Sequence, residues 1–184
     1  MKNLRYTLAL IFSFICALTW AQNQDLNITN STFSWTGKAA FNAYALTGSL
    51  KAEKGQIKIV DDQIEALHVT INMKSLDHEN KDLKNHLRSD DFFEVNTYAK
   101  ATFKLLKPAK IENGAAELYG IMTIKGHSQP ESIKITFKDD TLSFDHIMDR
   151  TAYGIKYNSP SFFKKMKENA IADNFVLKGT LIFK

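Results

Sequence analysis

Polar and apolar residues alternate along most of this 184-residue chain, and no other feature limits its fold as strongly. The clearest run is 64–75, where apolar side chains stand at every second position from Leu67 to Met73. Successive side chains of a strand point to opposite faces, so a period of two predicts a strand with one buried face. The chain is therefore predicted to be all-β.

Eight stretches carry this pattern, and turn-like residues separate them. They are 31–38, 48–60, 64–75, 99–111, 116–126, 132–137, 141–148 and 174–184. Most connections between these stretches are short and contain the Asn, Asp, Gly or Pro that hairpin turns favour, as at 112–114 and 139–140. Short joints predict antiparallel neighbours, and eight such strands favour a closed barrel, because closure removes exposed strand edges.

Two segments break the alternation and are predicted to be short helices. The first, 77–87, has two leucines four residues apart with charged residues between them. The second, 159–170, opens with Ser159 at the N-cap and Pro160 at the first helical position, which is a common start signal. Its predicted apolar face consists of Phe162, Phe163 and Met166.

The predicted inner face of the barrel is apolar and aromatic. An eight-stranded barrel is either filled by its own side chains or encloses one small ligand. A ligand entering this interior is expected to be apolar. The residues predicted to line it are Phe33, Trp35, Leu67, Val69, Ile71, Met73, Phe103, Met122, Phe137, Phe144, Phe175 and Leu177.

The N-terminus is typical of a secretory signal peptide. Lys2 and Arg5 precede an apolar run at 8–18, and Ala21 offers a small residue for cleavage. The run is too short to span a bilayer. We therefore expect residues 1–21 to be removed, and residues 22–184 to form one barrel domain that is periplasmic or secreted and does not span a membrane.

Residue counts exclude several kinds of chemistry. Cys16, the one cysteine, lies in the predicted signal peptide, so disulfides and thiolate chemistry are not expected after cleavage. The formal net charge of the chain is +4, too small to indicate nucleic-acid binding. The five histidines are scattered, and no metal or other cofactor is predicted.

Several motifs resemble those of the YceI-like family. They are the opening strand STFSWTGK, the central stretch VTINMKSLDHENKDLKNHLRSDDFFEVNTYAKATFK, the hairpin YGIMTIKGHSQP and the turn DRTAYGI. The resemblance covers residues 31–184. It implies a lipocalin-like periplasmic barrel that binds a polyisoprenoid, a quinone or a fatty-acid-like lipid, and it makes a homodimer plausible.

The stretch NHLRSDDFF at 85–93 looks at first like catalytic machinery. Ser89 and Asp90 suit the turn after the first helix, because their side chains bond to nearby backbone groups. Phe92 and Phe93 are predicted to close one mouth of the barrel. We interpret His86 as a hydrogen-bonded structural residue, with a metal ligand or general base as the alternative.

Arg150 is the charged residue with the most specific predicted role. It is expected either to pair with a nearby carboxylate at the rim or to anchor a lipid headgroup at the opening. Adjacent carboxylates at 61–62, 90–91 and 139–140 suggest a glycosidase as a further alternative. The leading hypothesis is a binding protein without enzymatic activity. The alternatives are a small outer-membrane barrel or a metal- or carbohydrate-active enzyme.

Overall fold

A computed structural model describes residues 22–163 and 169–184. The predicted signal peptide at 1–21 lies outside the described residues. The strands are β1 Gln22–Asp25, β2 Thr32–Ala39, β3 Ala45–Val60, β4 Gln63–Asp77, β5 Lys100–Leu105, β6 Ala109–Lys110, β7 Ala115–Ile124, β8 His127–Lys138, β9 Thr141–Asp149 and β10 Ile171–Ile182. An α-helix, α1, spans Lys81–Arg88, and a 3₁₀ helix spans Arg150–Tyr153.

Eight of these strands form a closed antiparallel ring. Their order is β3-β2-β10-β9-β8-β7-β5-β4, and a direct β3–β4 pairing returns the sheet to its first strand. The two remaining strands are short and pair with strands of the ring: β1 pairs with the second half of β3, and β6 pairs with the first residues of β4. The predicted all-β, eight-stranded antiparallel barrel is confirmed.

One end of the barrel is closed by its own side chains. Ile57 and Ile64, on either side of the β3–β4 hairpin, are almost completely buried. Leu26 forms a bridge with Phe183, and both residues are buried beside them. Any opening to the interior must therefore lie at the other end, where α1 and the 3₁₀ helix are placed.

The first predicted helix is confirmed with a shifted start. Asn80 caps α1, since its side-chain oxygen accepts a hydrogen bond from the backbone N–H of Leu83 at 3.0 Å. The residues from 77 to 80 lie before the helix because β4 continues to Asp77. Leu87 is buried and fixes the helix over the barrel end.

The second predicted helix is wrong in the residues that the structure describes. Residues 159–163 and 169–170 are turns and irregular backbone, and residues 164–168, including Met166, lie outside the described ranges. Ser159 was predicted to cap the helix, but its hydroxyl is buried and bonds to no described group. Its carbonyl instead accepts hydrogen bonds from the N–H groups of Phe162 and Phe163 in a tight turn.

In the described ranges, neither α1 nor the 3₁₀ helix has the length or apolarity needed to cross a bilayer.

Candidate ligand-binding cavity

A cavity of about 80 Å³ lies inside the barrel and is bounded almost wholly by apolar side chains. The alternation of each strand places its apolar residues here, because every second side chain points inward. All of the predicted interior residues except Phe137 line this cavity, namely Phe33, Trp35, Leu67, Val69, Ile71, Met73, Phe103, Met122, Phe144, Phe175 and Leu177. Their contact with a ligand remains a prediction.

Phe137 packs against the core without reaching the cavity. It pairs with Leu142 near the end of the β8–β9 ladder, toward the closed end of the barrel. The sequence prediction also left out several lining residues, such as Leu118, Ile133 and Ile135. The same alternation marks them, since they occupy every second position of strands already predicted.

A second cavity of about 220 Å³ lies at the open end, which we call the mouth cavity. It is bounded by the end of β2, the start of β10, helix α1 and the segment after it. Trp35, Phe93 and Phe175 line both this cavity and the interior one. We call these three side chains the collar, because they stand between the two spaces.

His86 holds an aromatic cluster beside the mouth. Its Nε2 lies 3.3 Å from a carboxylate oxygen of Asp91. Its ring meets the rings of Phe92 and Tyr157 edge-on, with centroid distances of 5.1 and 4.6 Å. These contacts fix the segment after α1 against the start of the irregular 155–163 stretch.

Ser89 and Asp90 contribute to the same segment in different ways. The hydroxyl of Ser89 donates to the carbonyl of His86 at 2.8 Å and ends the helix. Asp90 contributes its backbone carbonyl, which accepts a hydrogen bond from Lys125 Nζ at 2.8 Å. Phe92 and Phe93 lie over the barrel end, where both line the mouth cavity.

Arg150 is buried in the wall of the mouth cavity and binds the backbone there. Its guanidinium donates to the carbonyls of Ile155, Ile171 and Ala172 at 2.9 to 3.0 Å. A carboxylate oxygen of Asp173 lies 3.7 Å from Nη2. Burial lowers the pKa of Arg150, and the charges of Asp173 and Asp149 oppose that shift. Arg150 thus joins the start of β10 to the chain that follows the 3₁₀ helix.

A cluster of Tyr153, Glu131 and His146 is a feature that the sequence did not predict. The Tyr153 hydroxyl donates to one carboxylate oxygen of Glu131 at 2.6 Å, and His146 Nε2 lies 2.9 Å from the other. Burial, together with the bond to Glu131, raises the pKa of Tyr153. Backbone pairing between β8 and β9 extends from their hairpin only as far as Ile135 and Phe144. The cluster therefore links the two strands beyond the point where their backbone pairing ends.

The described residues bring no three His, Cys, Asp or Glu side chains together in a way that could hold a metal ion. The acidic pairs at 61–62 and 139–140 have positive φ angles between 49° and 58°. That conformation is the one that two-residue hairpin turns require, and Asp tolerates it. Both pairs therefore have a structural explanation at hairpins of the closed end.

Comparison with known proteins places the chain in a family. The model of the YceI-like domain matches residues 25–183, which is nearly the whole described barrel. The chain belongs to the YceI-like family. The resemblance seen in the sequence motifs is thereby confirmed.

Curated relatives match over shorter stretches. A UPF0312 protein of Vibrio cholerae is 30% identical over 94 residues, which is 50% of this chain and 50% of that protein. A UPF0312 protein of Vibrio parahaemolyticus is 32% identical over 71 residues, or 39% of this chain and 38% of the relative. The matched part thus spans about half or less of each of these relatives.

Solved structures share the fold at low sequence identity. BcnA of Burkholderia cenocepacia superimposes with a TM-score of 0.69 at 21% identity, covering 85% of this chain and 98% of BcnA. A polyisoprenoid-binding domain from Saccharophagus degradans, described as implicated in plant cell wall breakdown, gives a TM-score of 0.62 at 11% identity. It covers 90% of this chain and 99% of that domain. Both likenesses support the lipocalin-like barrel.

Proposed function

We propose that this protein is a periplasmic or secreted carrier that holds one long apolar lipid chain inside the barrel. The observation that carries the proposal is an apolar interior cavity that shares three lining side chains with a second cavity, which lies at the end of the barrel away from the closed one. Membership of the YceI-like family and the likeness to a polyisoprenoid-binding domain support the same ligand class. A polyisoprenoid, a quinone tail and a fatty-acid chain all fit this description.

Burial of the chain would supply the binding free energy. Each methylene group transferred from water to an apolar interior contributes about 0.8 kcal/mol. The interior cavity of about 80 Å³ is small beside the roughly 300–1,000 Å³ typical of ligand sites. A long chain therefore enters with rearrangement of interior side chains, and the unbranched side chains of Met73 and Met122 can adapt most easily.

The direction of the apolar face supports a carrier over an outer-membrane barrel. An outer-membrane barrel turns its apolar band outward to lipid and keeps a polar interior. In this barrel the apolar residues face inward. The outer surface carries charged side chains such as Lys178 and Asp145, which form a 2.6 Å ion pair and are each 55% exposed.

Two substitutions of alanine by phenylalanine test the interior site. Ala101 lines the interior cavity, so Ala101→Phe fills the space that the lipid chain would occupy. Ala66→Phe makes the same change at an exposed position of β4 and serves as the control. Each protein is exported with its own N-terminal segment in a Gram-negative host and weighed by native mass spectrometry, and the extracted lipid is then identified.

We expect wild type and Ala66→Phe to carry a lipid of defined mass, or to take up added octaprenyl or hexadecyl lipid when isolated empty. Ala101→Phe should bind at least tenfold more weakly. Equal binding by both variants would place the lipid outside the barrel, and a wild type that neither carries nor takes up lipid would refute a carrier. The mass of the exported protein also tests cleavage after Ala21.

A further inference from the structure

Four exposed aromatic side chains of the described residues lie around the open end of the barrel. Phe41 and Tyr44, in the turn between β2 and β3, are 66% and 63% exposed. Phe162 and Phe163, in the irregular segment after the 3₁₀ helix, are 49% and 48% exposed. Single exposed apolar residues are ordinary, but a group of them on one surface of a protein indicates an interaction site. We call these four side chains the rim patch.

Backbone hydrogen bonds bring the two halves of the rim patch together. The N–H of Ala40 donates to the carbonyl of Ala170 at 2.9 Å, and the N–H of Ile171 donates to the carbonyl of Asn158 at 2.9 Å. The two turns that carry the rim patch therefore lie on either side of the start of β10. Neighbouring strands are about 4.8 Å apart, so the two turns are separated by roughly 10 Å.

The rim patch is continuous with the mouth cavity. Tyr44 belongs to both, since it lines that cavity and is also exposed to solvent. Ala170 and Ile171, which the two turns flank, line the cavity as well. A lipid chain that leaves the barrel through the mouth cavity therefore emerges beside exposed aromatic side chains.

The charges beside the rim patch are positive. The two segments that carry it, 38–44 and 155–163, contain Lys38 and Lys156 and no Asp or Glu. Both lysines are exposed, and no carboxylate of the described residues lies within 4.0 Å of either ammonium group. Lys156 Nζ lies 4.5 Å from the centroid of the Phe162 ring, so one cation is held directly at the patch. The other side of the mouth, formed by α1 and its flanks, carries charges of both signs.

We propose that the rim patch docks on the surface of a lipid bilayer that contains anionic lipids. The three phenylalanines insert among the headgroups, while Lys38 and Lys156 lie against the lipid phosphates. Tyr44 suits the same depth, because its ring is apolar and its hydroxyl is polar. The mouth cavity then faces the bilayer. Under the proposed carrier function, a lipid chain passes between membrane and barrel without crossing water.

A second copy of this chain fits the rim patch less well than a bilayer does. Most homodimers place the same surface of both subunits against each other. Such a contact would set Lys38 and Lys156 of one copy against the same lysines of the other, and the segments that carry them offer no carboxylate to separate them. Like charges brought together in an interface oppose association.

Sedimentation with sucrose-loaded vesicles measures the docking. The protein, exported with its own N-terminal segment, is mixed with vesicles of phosphatidylcholine alone or with vesicles that contain about equal parts of phosphatidylcholine and phosphatidylglycerol. Each lysine near an anionic surface increases the affinity about fivefold. We therefore expect wild type to bind the mixed vesicles about 25-fold more tightly, and about 1 M salt to remove most of that preference.

One set of substitutions tests the aromatic contacts. Phe41→Ser combined with Phe162→Ser and Phe163→Ser should lower the affinity for both kinds of vesicle at least tenfold, because the buried apolar area is lost. The control combines Ile28→Ser with Leu106→Ser, which alter side chains that are 45% and 54% exposed elsewhere on the barrel. This control should bind both kinds of vesicle as wild type does.

A second set of substitutions tests the charges. Lys38→Glu combined with Lys156→Glu should abolish the preference for anionic vesicles. Its control, Lys54→Glu combined with Lys134→Glu, makes the same change in net charge at exposed positions of β3 and β8 and should keep most of that preference. All of these side chains are exposed, so thermal unfolding should show that each variant is folded and nearly as stable as wild type.

Several results would overturn the docking site. They are a wild type that does not bind mixed vesicles, an aromatic set that binds as tightly as its control, and a charge set that keeps the anionic preference. A wild-type dimer in the absence of vesicles that the aromatic set converts to a monomer would assign the rim patch to a second copy. The carrier function is tested separately by the lipid lost in Ala101→Phe. A protein that binds vesicles but neither carries nor takes up lipid would refute the carrier and leave the docking site standing.

Discussion

The structural role of Arg150 gives the sharpest stability prediction. Arg150 is 4% exposed, and its side chain donates to three carbonyl groups from two separated stretches of chain. Arg150→Met keeps much of the apolar stem but leaves those carbonyls without a donor and Asp173 without its cation. Breaking a buried charge pair by removing one partner typically destabilises a protein by about 3–5 kcal/mol. We expect the free energy of unfolding to fall by that amount, a large part of the roughly 5–15 kcal/mol of a typical domain.

Urea unfolding followed by far-ultraviolet circular dichroism measures this loss. With a denaturant slope near 2 kcal/mol per molar, a loss of about 4 kcal/mol lowers the midpoint by about 2 M. Lys178→Met is the matched control, because it breaks an ion pair with Asp145 in which both side chains are 55% exposed. Such pairs contribute about 0–1 kcal/mol. Arg150→Lys should be intermediate, since one ammonium group cannot reach three carbonyls in the geometry of a guanidinium.

The outcome also separates the two roles predicted for Arg150 from the sequence. A loss as small as that of the Lys178→Met control would refute the backbone-binding role. If such a stable Arg150→Met protein also bound palmitate tenfold more weakly, the headgroup-anchor prediction would be favoured. A large loss of stability with unchanged affinity in the remaining folded protein would assign Arg150 to the fold alone.

Two further predictions concern the wall of the barrel near the mouth. Burial and the bond to Glu131 raise the pKa of Tyr153 above its ordinary 10.0, so the folded protein keeps a proton that the unfolded chain releases. Stability should therefore be retained below pH 10 and should fall above it by up to about 1.4 kcal/mol per pH unit more than in Tyr153→Phe. Urea unfolding of wild type and Tyr153→Phe from pH 9 to 11.5 measures this difference. The same pH dependence of stability in both proteins would contradict the raised pKa of Tyr153. Gly48→Ala should destabilise by about 1–3 kcal/mol in thermal unfolding, because its Cβ would overlap Trp35 and the carbonyl of Asp77. At Gly37 the nearest atom to an added Cβ is 3.9 Å away, so Gly37→Ala should change the stability little. Equal losses of stability in Gly37→Ala and Gly48→Ala would refute the close packing of Trp35 on Gly48 as the cause.

The sequence predicted which segments form strands and which of their side chains point inward, because both depend on local periodicity. A strand has a period of two whatever it pairs with, so alternate positions such as Leu67 and Val69 were assigned to one face correctly. The short joints at 61–62 and 139–140 forced antiparallel neighbours for the same local reason. The helix predicted at 159–170 is wrong at its described start, because Ser159 does not cap a helix: its hydroxyl is buried and its carbonyl accepts the hydrogen bonds of a turn.

By itself, then, the sequence determined the strands, their antiparallel order and the apolar character of the interior. Tertiary structure decided which residues meet across long separations. It brought Arg150 to the carbonyls of residues about twenty positions away, placed Trp35 on Gly48, and left Phe137 outside the cavity. It also decided the volume of the cavity, and it left the indole N–H of Trp35 without an acceptor among the described residues. The physical reason is that periodicity is a property of neighbouring residues, whereas cavity shape and hydrogen-bond partners depend on where eight strands end relative to one another.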